Sequence, residues 1–260
     1  VPKEEVKNVK KELVLDDVKK IPKVDEVPLI AHERDTGCKA IVDLSTMETI
    51  CVVKKDNQII QHQQVYNEVS KLENYVIKRT LFMNGGQKMM IEVTERTPKK
   101  IELLPNDFLE CGARIFNDYG KSRGLSVAGY GMRLICENGV VAPKVGRKMQ
   151  IFAYGTSEFA KELEEQIAAS IAVWQDTTEI MERANETTVH VKDILEDIDF
   201  LPKKYMKIVT DKLKDEETLY NIWNEYTRVI THEIGPKVKT QGLLSLQKMA
   251  NKILTIQIEE

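Results

Sequence analysis

The hydrophobic period of this chain changes once, near residue 156. Before that point, apolar side chains recur at every second position, in short runs broken by turn residues. After it they recur with a period of 3.6. The expected fold is therefore α+β: an antiparallel β-sheet built from hairpins, covered by a long helix and a C-terminal helical layer. The expected divisions are a charged N-terminal arm over residues 1–30, a sheet domain with one or two short helices over 31–155, and a helical region over 156–260.

The first 30 residues are rich in Lys, Glu and Asp, and Pro22 and Pro28 interrupt any helix. Cys38 to Leu44 and Thr49 to Lys54 read as strands joined at Ser45-Thr46. A helix from about Gln61 to Asn74 carries Val65, Val69 and Leu72 on one face. His62, alone at its start, is expected to cap or pack rather than catalyse. Tyr75 to Met83 and Lys88 to Thr94 form a hairpin around Asn84-Gly85-Gly86. Ile101 to Leu104 is a short strand, and Pro105-Asn106-Asp107 is expected to open a short helix holding Phe108 and Leu109.

Gly112 to Gly146 holds seven of the thirteen glycines. Within it, Asp118 to Gly124 is a turn and Leu125 to Cys136 a strand, which gives a hairpin whose tip carries Lys121 and Arg123. Gly129 and Gly131 share a face and leave room for a backbone, an aromatic ring or a ligand. Val145 to Tyr154 reads as the last strand. Thr156 or Ser157 then caps a long helix to about Glu186, with Phe159, Leu163, Ile167, Ile171, Trp174 and Met181 in one stripe. A rod of that length, about 45 Å, exceeds the width of a small sheet and suits a partner subunit. Three further helices are expected: from Leu201-Pro202, from Asp215-Glu216-Glu217, and from about Thr240 to Ile256.

Net charge is −3, but it is unevenly spread: −2 over residues 1–76, +6 over 77–150 and −7 over 151–260. A basic middle beside an acidic C-terminal third points to an anionic partner, or to self-association of basic face with acidic face. No apolar run approaches the roughly 20 residues that span a bilayer. The Val-Pro start is read as the trace of a removed tag or leader, and no signal-peptide pattern is present. Four single cysteines without Cys-x-x-Cys spacing suit buried thiols in a reducing compartment and argue against zinc. The expected location is cytoplasmic.

Catalytic signals are sparse. His32-Glu33 and His232-Glu233 lack the second histidine of a zinc-hydrolase helix, and no phosphate-loop or serine-nucleophile pattern occurs. Asp107, Glu110 and Asp118 are the carboxylates that a Mg²⁺ nuclease would gather, and nothing in their spacing fixes such a site. The chain is read as a non-enzyme without metal or cofactor. Nucleic-acid binding needs cations for phosphates and aromatic faces for bases. Lys78, Arg79, Lys121, Arg123, Arg133, Lys144, Arg147 and Lys148 are the candidate cations, and Tyr119 and Tyr130 the candidate stacking rings. Either ring is equally suited to the core.

The segments His62-Gln63-Gln64-Val65-Tyr66 and Gly131-Met132-Arg133-Leu134-Ile135-Cys136-Glu137-Asn138-Gly139, with the helix that follows, resemble an uncharacterised phage- and plasmid-borne family. The resemblance covers roughly residues 55–190 and rests on the Arg133-to-Gly139 core. Members often carry a histidine after the last strand, where this chain reads Ile151-Phe152-Ala153-Tyr154-Gly155. The hairpin-then-helix order is similar to that of phage single-strand annealing proteins, which form rings or filaments. The resemblance implies an oligomer that binds single-stranded DNA in recombination or replication. The other expectation is a virion-type assembly protein, using the same basic sheet against acidic helices.

Overall fold

In the computed structural model, the described residues are 13–15, 21–98, 100–104, 107–121, 124–133, 139–141, 149–150, 158–238 and 240–256. In chain order they form β1 (Leu13–Leu15), β2 (Val24–Ala31), β3 (Arg34–Asp43), β4 (Thr49–Lys54), α1 (His62–Ser70), β5 (Tyr75–Met83), β6 (Lys88–Glu95), β7 (Lys100–Leu104), β8 (Asp107–Asp118), β9 (Ser126–Arg133), β10 (Gly139–Val141) and β11 (Met149–Gln150). The helical region holds α2 (Phe159–Glu186), β12 (Thr188–His190), α3 (Val191–Asp197), α4 (Lys203–Thr210), β13 (Glu216–Thr218), α5 (Leu219–Arg228) and α6 (Thr240–Ala250). The fold is α+β with antiparallel pairing throughout, as the period switch implies.

The main sheet runs β1-β5-β6-β8-β9-β10, with β7 on β8 and β11 on β9. Alternation sorts its side chains. Met89, Ile91 and Val93 of β6, Leu109, Cys111, Ala113 and Ile115 of β8, and Val127 of β9 face one way. They bury Phe159, Leu163, Ile167 and Ile171 of α2, four members of the expected stripe, spaced at one helical turn. Met181 is buried too, whereas the side chain of Trp174 lies outside the described residues. Leu81, Met83, Met90 and Phe116 face the other way and meet Ala128 and Leu244 of α6. The sheet is therefore covered on both sides, and α6 is part of the second cover.

A second sheet, β2-β3-β4, packs Val24, Ile41 and Val53 around Tyr119 at the β8–β9 turn. Residues 1–30 were expected to be an arm, yet β1 pairs with β5 and β2 with β3. Charge misled here because β2 is an edge strand. Asp25, Glu26 and Pro28 sit exposed on it, the composition that keeps an edge from pairing further.

Two helix starts also differ. Asp107 opens β8 rather than a helix: Phe108 pairs with Glu102 and Leu109 with Ile101, and Leu109 is buried. The ladder on both sides of β8 outweighs a local capping signal. Glu216–Thr218 is a strand paired with Thr188–His190, and α5 begins one residue later. Its cap is Thr218, whose Oγ1 accepts the Asn221 N–H at 3.1 Å. The short α3 was not expected, and the caps proposed at Thr156 and Ser157 lie outside the described residues. Among the described residues, no helix is long and apolar enough to cross a membrane.

Candidate nucleic-acid interface

The cations expected on β5 are already engaged. Lys78 Nζ lies 3.5 Å from Glu110 of β8. Arg79 donates from Nε and Nη2 to the two oxygens of Glu92, each at 3.0 Å. Glu92 also accepts from Arg114 Nε at 2.8 Å, and the Arg114 guanidinium lies 3.8 Å from the centre of the Tyr130 ring. The register makes this row: Arg79 is opposite Glu92, Glu92 opposite Arg114, and Tyr130 lies on β9 two residues from Ala128, the partner of Arg114. Glu92, Arg114 and Tyr130 are all buried. Burial alone would raise the Glu92 carboxyl, but the charges and hydrogen bonds of Arg114 and Arg79 hold it below its ordinary value. Burial, and then the Glu92 charge, push the Tyr130 phenol up to about 12. This row holds the sheet together, and Tyr130 offers no face to a base.

Tyr119 is buried as well. Its ring stacks on His62, with centroids 3.9 Å apart and 18° between planes, and its hydroxyl accepts the His62 backbone N–H at 3.0 Å. Asn117 Nδ2 donates to His62 Nδ1 at 2.9 Å, so the imidazole proton sits on Nε2 and points to the Gly86 carbonyl, also at 2.9 Å. That carbonyl is aimed by a turn in which Asn84, Gly85 and Gly86 take φ of 55°, 67° and 93°. Burial lowers the His62 pKa to about 4. His62 thus packs, as expected for a histidine at a helix start, and it locks α1 to the hairpin. Neither expected stacking ring is available, because both tyrosines fill the interior.

The gap expected beside Gly131 is filled from within. A Cβ there would lie 2.9 Å from Leu109 Cδ1, two residues along β8 from Cys111, the partner of Gly131 across the ladder. The side chain of Asp107 lies outside the described residues, and among the described residues no group of His, Cys, Asp or Glu is placed to hold a metal ion. Asp107, Glu110 and Asp118 lie along one twelve-residue strand, Glu110 faces Lys78, and Asp118 Oδ1 accepts from Gln87 and the Gly120 N–H.

Lys121 is different. It is exposed at the hairpin tip, and Lys88 at the start of β6, set opposite Asp118 by the ladder, stands between its charge and that of Lys248 on α6 and feels both. Lys88 is half-buried, with Nζ 5.1 Å from the centre of the Phe116 ring. Burial lowers its pKa first. The like charges of Lys121 and Lys248 lower it further, against the pull of Asp118. Lys121 and Lys248 make no ion pair among the described residues. Lys88 and Lys248 were not among the expected residues. The pairing of β6 with β8 sets Lys88 opposite Asp118, close to Lys121 in the chain, whereas Lys248 joins them only through the approach of α6, which no local pattern signals. Arg133 ends β9, but its side chain lies outside the described residues, as do Arg123, Lys144, Arg147 and Lys148.

No protein-family model, curated protein or solved structure matches the chain.

Proposed function

We propose that this chain is a phage- or plasmid-type nucleic-acid-binding protein that grips single-stranded nucleic acid by its phosphates and acts as an oligomer in strand annealing. The observation that carries the reading is the gathering of Lys88, Lys121 and Lys248 from three separate elements at one end of the main sheet: the ladder sets Lys88 opposite Asp118, three residues before Lys121, and Leu244, one turn before Lys248 on α6, packs on the Phe116 cluster that lies under the Lys88 ammonium. Like charges gathered by the fold repel one another, and a polyanion removes that cost. The buried tyrosines fit the same reading. A site that holds phosphates without stacking bases leaves the base edges outward for pairing. No chemical step is required.

The test is an electrophoretic titration with single- and double-stranded oligonucleotides, run beside an annealing assay with complementary strands. Wild type is expected to bind single strands at low salt and to speed annealing. Lys121→Glu with Lys248→Glu is expected to weaken binding at least tenfold. Absence of binding at low salt would refute the proposal. The charge split, +6 over residues 77–150 against −7 over 151–260, supports a second reading as an assembly protein. Size growth in light scattering without nucleic acid, abolished by the same substitutions, would select it.

A further inference from the structure

The lysines above sit at one end of α6, and the other end carries a second group. Residues 234–258 contain four lysines and no Asp or Glu, inside a region whose net charge is −7 over residues 151–260. Lys237 lies in the 3₁₀ turn Gly235–Lys237 that leads into α6, with Nζ 5.5 Å from the centre of the Tyr205 ring. Lys204 of α4 reaches the same ring, with Nζ 4.6 Å from its centre. Tyr205 is buried while both lysines are exposed, so one aromatic floor carries two solvent-facing ammonium groups. Lys207 is exposed one turn further along α4. None of these three lysines makes an ion pair among the described residues, in contrast to Lys78 and Arg79 on the sheet.

The helix between the two groups is built for close approach. Gly242, Ser245 and Lys248 are exposed at a spacing of three, which places them along one face. Two of them are small and uncharged. The first turn of α6 has no acidic residue, so the positive end of the helix dipole is unshielded beside Lys237.

We infer that α6 is the middle of a phosphate track, along which a single strand runs from Lys204 and Lys237 to Lys248, Lys88 and Lys121. The eleven residues of α6 span about 16 Å, a length that covers about five phosphates at a stacked-strand spacing of about 3.4 Å. A protein partner would need acidic side chains at matching intervals, whereas a nucleic acid supplies a charge at every nucleotide. The inference rests on the nucleic-acid reading and extends its site to a second lysine group that the basic middle of the sequence does not contain.

The experiment compares wild type, Lys204→Glu with Lys237→Glu, and a control of equal charge change, Lys23→Glu with Lys54→Glu on the small sheet. Circular dichroism confirms folding of each. Anisotropy of a labelled single-stranded oligonucleotide is then followed across salt concentrations. The Lys204/Lys237 variant is expected to bind at least tenfold more weakly than the control and to lower the slope of log K against log salt by about 1.4, at about 0.7 per lost phosphate contact. Shortening the oligonucleotide below about five nucleotides is expected to abolish the difference between variant and control. An affinity and slope equal to the control would overturn the track while leaving the Lys88/Lys121/Lys248 site standing. A change in oligomeric state of the variant without nucleic acid, with binding unchanged, would overturn it in favour of a subunit contact. Wild type that binds no nucleic acid would remove both readings.

Discussion

Acidification tests the interior of this fold through one side chain. His62 is fully buried, its Nδ1 occupied by Asn117 and its Nε2 proton by the Gly86 carbonyl, with Tyr119 stacked on its face. A second ring proton would have to displace the Asn117 amide, deep in the interior. The pKa accordingly falls from 6.5 to about 4. The folded value lies below the unfolded one, so the contribution to stability is complete above about pH 6.5 and is lost as pH falls toward 4. The shift corresponds to about 3 kcal/mol, of which about 1.4 kcal/mol is gone by pH 5.5. Carboxylates titrate over part of the same range, so wild type alone does not isolate the effect. Urea unfolding of wild type and His62→Gln at pH 7.5, 5.5 and 4.5 does. The stability gap between them is expected to shrink by about 2–3 kcal/mol from pH 7.5 to 4.5. Ring-nitrogen NMR should show His62 neutral at pH 6 and protonated on Nε2. A gap that stays constant, or a His62 that titrates above pH 6, would refute the reasoning.

Three further outcomes follow from the sheet. Glu92→Gln leaves two arginines beside a neutral side chain and is expected to cost about 3–5 kcal/mol in chemical unfolding, with part recovered when Arg114→Met is added. Gly131→Ala places a methyl against Leu109 and is expected to cost about 1–3 kcal/mol, and Leu109→Ala in the same chain should relieve the clash. Tyr119→Phe removes the acceptor of the His62 backbone N–H and is expected to cost about 1–3 kcal/mol while leaving nucleic-acid affinity within about twofold, since the ring is buried. A large loss of affinity in that variant would contradict the burial argument.

What was legible in the sequence is what local periodicity controls. Tyr75–Met83 has the expected bounds because its turn residues are explicit, and Lys88–Glu95 runs one residue beyond its expected end. The stripe on α2 reads directly as its buried face, since one helix packs on one sheet. Where pairing partners are distant, the signal fades. Asp107 resembles a helix cap until β7 pairs with it and β9 with the residues that follow, and β2 resembles a solvated tail because edge strands and tails share a composition. The site followed the same rule. Charge pattern singled out Lys121, but it also singled out Lys78 and Arg79, which the ladder pairs with Glu110 and Glu92. A tyrosine beside glycines is compatible with a binding platform or a core ring, and burial decides for the core in both cases. Lys237 and Lys248 gain meaning only from the position of α6, and Lys88 from the pairing of β6 with β8 that sets it opposite Asp118.

The central claim is that exposed lysines along α6 and the hairpin tip bind phosphates. The most direct measurement is the affinity of the wild-type chain for a single-stranded oligonucleotide between 50 and 200 mM salt. About five phosphate contacts predict a slope of log K against log salt near −3.5, which is a loss of about a hundredfold over that range. Equal affinity for an abasic strand of the same length is predicted as well, since phosphates carry the contact. A slope shallower than about −1, or no binding at 50 mM salt, would contradict the account.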